Sequence, residues 1–321
     1  MHTEPPTLLA ACLRAPAQPD ATATETVAQW WPHWLALRAH AADPVALAIG
    51  AGWSADRVGW AFAGGYQAAL RALVPGQLAH DTLAAFCVTE ATGNRPRDIH
   101  TTLTPQADGR WRLTGHKRWT TLGPAGQELW VVGALPERAS AGRPALCVAR
   151  VPVPATGLTL QPMPATRFVP EVPHAEVRLD QVCVAADALL PGDGYARYVK
   201  PFRTREDQHV TVAVLAYLLR TARARNWPAA FAEELVATLT LLTHLARAAG
   251  PDNDGTPTLA LAGALHQAHR LYTQAGTLWA AAGPDDPAAQ RWERDAALFA
   301  VAGTARALRA QRGWERLAAG A

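Results

Sequence analysis

From residue 22 to about 76, apolar positions recur at helical spacing. "TETVAQWWPHWLALRAH" sets Val27, Trp31, Trp34 and Leu35 on one face; "SADRVGWAFAGGYQAALRAL" predicts a further helix capped by Ser54, and Pro75-Gly76 ends the run. From about residue 84 the pattern changes to short β-rich segments between turn residues: "AAFCVTE", "TTLTPQADGRWRLTGHKRWTTLG", "ELWVVGAL", "PALCVARVP", "GLTLQPM" and "HAEVRLDQVCV". Asp108-Gly109, between "TTLTP" and the alternating "RWRLTG", predicts an antiparallel hairpin. After "PGDG" at 191–194 the helical period returns, and "AGPDNDGTP" and "GPDDP" help divide it into segments at about 204–224, 229–249, 257–282 and 287–319. Four amphipathic segments on short loops predict a bundle. There is no βαβ alternation and no G-x-G-x-x-G after a strand, so a Rossmann domain is not supported.

The expected fold class is therefore α+β and multidomain: an N-terminal helical domain at 1–82, a middle antiparallel β domain at 83–194 and a C-terminal four-helix bundle at 195–321. A chain of 321 residues, 49% apolar, has enough material for that interior. Its net charge of +3 is spread without a long basic run, which argues against nucleic acid as a partner. The longest apolar run, "VAVLAYLL" at 212–219, is too short to span a bilayer. "MHTEPPTLLAACLRAP" fits neither a secretory nor a transit pattern, and four scattered cysteines make no disulfide or zinc pattern. A cytoplasmic protein is expected.

One stretch asks for an explanation. "RDAALFAVAGTARALR" at 294–309 is helix-periodic yet contains Gly303-Thr304, and Gly inside a helix costs about 1 kcal/mol relative to Ala. Either a neighbouring backbone or a ligand comes close to that turn. His266 and His269 lie three apart on a helix with no acidic companion at ligand spacing, so no metal site is expected. Arg223 and Arg225 beside Trp227 read as a solvated helix end, with anion binding or adenine stacking as the rival.

"CVTEATG", "DGRWRLTGHKRWTTLG" and "VRLDQVCVAADALLPGDG" follow one another over about 84–205 in an order and spacing that resembles the acyl-CoA dehydrogenase family. The resemblance implies the same three-domain order, FAD as cofactor, an acyl-CoA thioester as substrate, and a homodimer or homotetramer. It places Trp119 and Thr121 beside the flavin ring, Val88 and Thr89 at its pyrimidine and ring nitrogens, Thr304 on the cofactor, and Phe202 and Arg205 on the substrate. A flavin is a flat apolar ring with a polar edge, so aromatic, hydroxyl and backbone groups suit it. Trp119 is also one of 12 tryptophans available to fill a core, and threonines favour strands in any case.

The opening stretch aligns too, because Arg294-Asp295 and Gly303-Thr304 match the family pattern. The position of the family's catalytic Glu, however, holds Ala302, and a methyl group cannot accept a proton. A family variant carries the acid on the first helix of the C-terminal domain, where "PFRTREDQHV" offers Glu206 after Arg205. The competing reading is a capping box, Thr204-x-x-Asp207, with Glu206 complementing the helix dipole. His209, one turn on, reads as structural. Other phrases depart as well: "GNRPRD" stands for Gly-Ser-Asp, "RARNWPAAF" for Arg-x-x-Phe-Gly, and "AAAGPDDP" for a Gly-Gly-x-Gly-Tyr stretch. Three readings stay open: an acyl-thioester oxidoreductase with Glu206 or another base, a flavin enzyme with non-dehydrogenase chemistry, and a catalytically degenerate scaffold of the same fold.

Overall fold

Helices and strands segregate along this chain, and a computed structural model describes them over residues 8–16, 23–37, 39–41, 43–138, 144–248 and 255–319. The first helices are α1 (Leu8–Arg14), α2 (Val27–Leu37), α3 (Pro44–Ser54) and α4 (Val58–Leu73). Seven strands follow: β1 (Ala84–Cys87), β2 (Thr102–Pro105), β3 (Trp111–Thr121), β4 (Glu128–Ala134), β5 (Leu146–Pro152), β6 (Leu158–Pro162) and β7 (His174–Val184). Five helices close the chain: α5 (Lys200–Ala224), α6 (Ala229–Arg247), α7 (Thr256–Ala280), α8 (Pro287–Asp295) and α9 (Gly303–Ala319). They divide into a helical unit, Met1–Ala72 with Arg167–Glu171 and Arg205–Ala321, and a β unit, Leu73–Thr166 with Val172–Thr204.

In the β unit the sheet runs β1-β4-β2-β3-β7-β6, with β5 on β4. β2 pairs antiparallel with β3 across the Gly109 turn (φ +80°), as the Asp-Gly signal predicts. β3–β7, β6–β7 and β4–β5 are antiparallel as well, whereas β4 runs parallel to β1 and, through Thr102 and Ala134, to β2. Strand β7 shows how the core is made. Ala175, Val177 and Leu179 point inward at period two, then Val182 and Val184 do so, because the register slips between Leu113 and Gly115 of β3. The extra residue falls at Gln181, whose φ of +56° marks the bulge, and it restores an apolar inner face that a strict alternation would lose. Leu103, Leu113, Leu129, Val131, Val151 and Val177 complete that face with no exposed surface.

The helical unit packs α3 and α4 on α5. A Cβ on Gly52 would sit 1.8 Å from the Ala213 carbonyl oxygen, and one on Gly65 would sit 2.6 Å from Val210 Cα, so these two glycines permit backbone contact. The reward is burial of Val212–Leu219 on α5, each such apolar side chain contributing roughly 1.5–3 kcal/mol. On α2 Trp34 of the predicted face is buried, but its companion in the core is Trp30, while Val27, Trp31 and Leu35 are half-buried. Trp30 stacks on Trp60 at 5.6 Å, and the Trp60 indole N–H donates to the Thr24 carbonyl. This aromatic packing, rather than the helical period alone, selects the inward face.

Three expectations change. Ser54 ends α3 and its hydroxyl donates back to the Gly50 and Ala51 carbonyls, so it caps nothing; Asp43 caps α3 by accepting from Ala46 N–H. The first C-terminal helix begins at Lys200, after a π-turn at Tyr195–Val199, so Thr204 is interior to it and no capping box forms. The segment at 287–319 is not one helix. α8 ends at Asp295, a 3-10 turn covers Ala296–Ala300, and α9 starts at Gly303. The break follows from tertiary contacts: Phe299 stacks on Tyr272 at 4.2 Å and meets Trp292 at a tilt at 5.2 Å, and the Asp295 carboxylate accepts from Val169 N–H rather than staying at a helix surface.

Candidate functional site

In the β unit the third strand carries a distortion with chemical consequences. Between Lys117 and Thr120 two residues of β3 face one of β7, which is the signature of a β-bulge. Trp119 occupies it in the left-handed region (φ +57°), a conformation that side chains other than Gly rarely adopt. The bulge turns the indole out of the sheet, and Trp119 is 49% exposed while Lys117 and Thr120 on either side are buried. Its ring meets His174 edge-on at 6.0 Å, and the Trp119 backbone N–H donates to Met163 Sδ at 3.4 Å. Burial depresses the His174 pKa, which leaves that ring neutral near neutral pH.

The chain just after β1 is bonded to this bulge. Arg118 N–H donates to the Thr89 carbonyl at 2.8 Å, and Lys117 Nζ approaches the Val88 carbonyl at 3.4 Å. Val88 and Thr89 are thus joined to the strand segment that carries Trp119 and Thr121. The hydroxyls of Thr89 and Thr121 make no hydrogen bond among the described residues. An outward aromatic face flanked by two half-buried, unused hydroxyls fits a flat ring with a hydrogen-bonding edge.

Beneath the edge lies an ion pair that sequence reading passed over. Lys117 Nζ donates to Glu90 Oε1 at 2.6 Å, with side chains 0% and 5% exposed. Glu90 also accepts from Thr101 N–H, Thr101 Oγ1 and His100 N–H at 2.8–3.0 Å. Burial works against the Glu90 charge, but Lys117 and these donors outweigh it and hold the carboxyl below its usual range. The signal was present: in "RLTGHKRW" the lysine stands at an inward position, two and four residues from Gly115 and Leu113.

Other residues of the β unit play different parts. Phe202 is buried edge-on against Phe86 at 4.9 Å, so it lines the interior. In "GNRPRD", Asp98 accepts from Arg95 N–H and pairs with Arg97 at 3.8 Å, while Arg203 donates to the Asn94 carbonyl; the Arg95 and Arg97 side chains face solvent.

The helical unit holds the remaining candidates. Arg205 is half-buried, burial lowers its pKa, and its guanidinium has no partner among the described residues. Glu206 beside it is half-buried. Asp207, buried, accepts from Arg306 Nε and NH2 and from Arg309 NH2 at 2.5–2.9 Å, tying α5 to α9. His209 donates through Nδ1 to the Arg205 carbonyl at 2.7 Å, and burial pushes its pKa down to about 4. The Ala302 carbonyl accepts from Arg306 N–H and thereby opens α9, so Gly303 is the first residue of a helix rather than its middle. Nothing lies within 4 Å of a Cβ placed on Gly303, and Thr304 is exposed.

The basic residues before α6 are structural. Arg223 donates to the Cys12 and Ala15 carbonyls, and Arg225 pairs with Asp286 at 2.6 Å and lies 4.3 Å from the Trp279 ring centre. His269 packs on Tyr272, and among the described residues no three His, Cys, Asp or Glu side chains gather as a metal site.

No family model and no curated protein matches the chain. Solved structures do. Butyryl-CoA dehydrogenase from Megasphaera elsdenii is 15% identical over 98% of this chain and 100% of its own, with a TM-score of 0.71. An FAD-dependent dehydrogenase matches 99% of this chain and 100% of its own at 15% identity and a TM-score of 0.68. FkbI, for biosynthesis of a methoxymalonyl extender unit, matches 84% of this chain and 83% of its own at 20% identity and a TM-score of 0.61. Identities this low carry architecture alone, and the architecture is plain: the chain has the acyl-CoA dehydrogenase fold.

Proposed function

We propose that this chain is an FAD-binding oxidoreductase of the acyl-CoA dehydrogenase type, acting on an acyl thioester. The observation that carries the reading is Trp119, held at positive φ in a bulge and 49% exposed, on the strand that carries Thr121 and is bonded to Thr89, both half-buried with hydroxyls that make no hydrogen bond among the described residues. Backbone strain that a sheet does not need is a mark of function. A bound flavin would supply a two-electron hydride acceptor. The chain's own part is to cover the ring with Trp119 and to bond its polar edge through Thr89 and Thr121. Among proteins of this fold, butyryl-CoA dehydrogenase supports the thioester class and an FAD-dependent dehydrogenase supports the cofactor.

Dehydrogenation also needs a proton acceptor. Ala302 cannot serve, so Glu206 takes that role in this reading, next in sequence to Arg205, whose guanidinium has no partner among the described residues. A cytoplasmic setting agrees with the free thiols of Cys12, Cys87, Cys147 and Cys183. A homodimer or homotetramer would cover Val301, Leu308, Trp314 and Leu317, which are 42–68% exposed around α9.

The test is the visible spectrum of purified protein before and after incubation with FAD, then with acyl-CoA thioesters of several lengths. Flavin uptake followed by bleaching supports the reading. Uptake without bleaching by any saturated thioester indicates a flavin enzyme of other chemistry. A protein that takes up no FAD is a scaffold, the second reading, which the methyl group at Ala302 favours.

A further inference from the structure

The Lys117–Glu90 pair has no evident reason to exist as a stabilising element. Both side chains are removed from water, and a buried ion pair of this kind commonly returns less than its desolvation takes, so apolar residues of similar volume would hold a sheet as well or better. What such a pair does supply is position. Lys117 lies two residues before Trp119 and Glu90 one residue after Thr89, so the pair joins the two segments that form the outward edge.

Its geometry determines where backbone groups point. Lys117 Nζ faces the Val88 carbonyl at 3.4 Å while bonded to Glu90 at 2.6 Å. In a trans peptide the carbonyl and the following N–H point in opposite directions, so a Val88 carbonyl directed at Lys117 sends the Thr89 N–H the other way. That N–H makes no hydrogen bond among the described residues. The next peptide is fixed as well, because the Thr89 carbonyl accepts from Arg118 N–H and Glu90 N–H donates to the Gly93 carbonyl. Glu90 in turn is held by Thr101 and His100 from the turn before β2. These bonds fix the Thr89 backbone on both sides and leave its N–H directed away from Lys117.

We infer that Lys117, locked by Glu90, is a positioning residue for the flavin: through the Val88 carbonyl it orients the Thr89 donors that meet the polar edge of the ring. This rests on the proposed FAD site. The pair is enclosed in the β unit, so its effect is exerted through the Val88–Thr89 peptide.

The experiment compares wild type with Lys117→Met, which keeps an unbranched stem and removes the ammonium, and with Val182→Ala, a core truncation at the far end of β7 chosen to lower thermal stability by itself. Glu90→Gln, a milder change to the same pair, replaces Lys117→Met if the latter fails to fold. Two quantities are read: FAD affinity with the shape of the visible bands, and amide hydrogen exchange of Val88–Gly93 and Arg118–Thr121 without FAD. The expected result is about tenfold or greater loss of FAD affinity with altered bands for the pair variant. Exchange should rise in those two segments and not in β4 or β5, and Val182→Ala should lose stability with affinity unchanged. A pair variant that binds FAD as wild type does, or whose loss is matched by Val182→Ala at equal stability, overturns the positioning role alone. Unchanged exchange in both segments does the same. Wild type that takes up no FAD refutes the flavin site and the inference with it.

Discussion

Asp207→Asn keeps the outline of a buried side chain and removes its charge, and it is predicted to loosen α9 from α5. The wild-type carboxylate accepts three charge-assisted hydrogen bonds, two from Arg306 and one from Arg309, while itself being 4% exposed. Removing one partner of a buried pair costs about 3–5 kcal/mol because the other charge stays behind. Both arginine side chains are 19% exposed, so water recovers part of that, and about 2–4 kcal/mol is expected. In a unit of this size each kcal/mol shifts Tm by roughly 2–4 °C, which gives a drop of roughly 4–16 °C. Urea unfolding followed by circular dichroism gives the energy, and hydrogen exchange resolved by peptide gives the place. The first amides to gain exchange should be those of α9, which Arg306 also anchors through the Phe299 carbonyl. The double change Asp207→Leu with Arg306→Met should recover part of the loss, since it removes charge from both sides. A loss below about 1 kcal/mol, or exchange that rises elsewhere and not in α9, would refute the reasoning.

Other outcomes follow from the same structure. His209 has a folded pKa near 4 against an ordinary 6.5, so its contribution is complete above pH 6.5 and is lost as pH falls toward 4; the unfolded state binds the proton first. His209→Gln should flatten the stability–pH curve in that window by about 3 kcal/mol relative to wild type, and parallel curves would contradict the assignment. Trp119→Ala should weaken FAD binding about tenfold or more while changing flavin-free stability by no more than about 1 kcal/mol, since relief of strain offsets a half-exposed contact. Glu206→Gln should abolish flavin reduction by an acyl-CoA without loss of bound flavin, and unchanged reduction would exclude it as the base. Ala302→Glu places a carboxylate at the start of α9 and should raise the reduction rate in a Glu206→Gln background, measured by stopped-flow bleaching.

Local patterning made much of the β unit legible. "HAEVRLDQVCV" alternates between turn residues, and β7 spans those residues, His174–Val184. The two bulges were not legible, because each depends on register against the neighbouring strand and Trp119 and Gln181 are not residues that favour positive φ. The helical breaks were hidden for a similar reason. Apolar period continues through 287–319, but Phe299 is drawn to Tyr272 and Asp295 to Val169 by contacts far away in sequence. Gly303 raised the right question with the wrong premise: it starts α9, where a glycine costs less than it does mid-helix. Val88, Thr89, Trp119 and Thr121 are flavin candidates only through the motifs of the resemblance, and the structure adds the bonds from Lys117 and Arg118 that join their two segments. Lys117 and Glu90 stood in those same motifs unnoticed, since a single inward lysine means little until its partner is seen.

A titration of the purified wild-type chain with FAD, followed through the visible bands and the flavin fluorescence, tests the central claim most directly. The account predicts saturable binding at about micromolar concentration or below, with fluorescence quenched by the stacked Trp119 and restored in part by Trp119→Ala. Bands and fluorescence that remain those of free FAD at about a hundredfold higher concentration would contradict it.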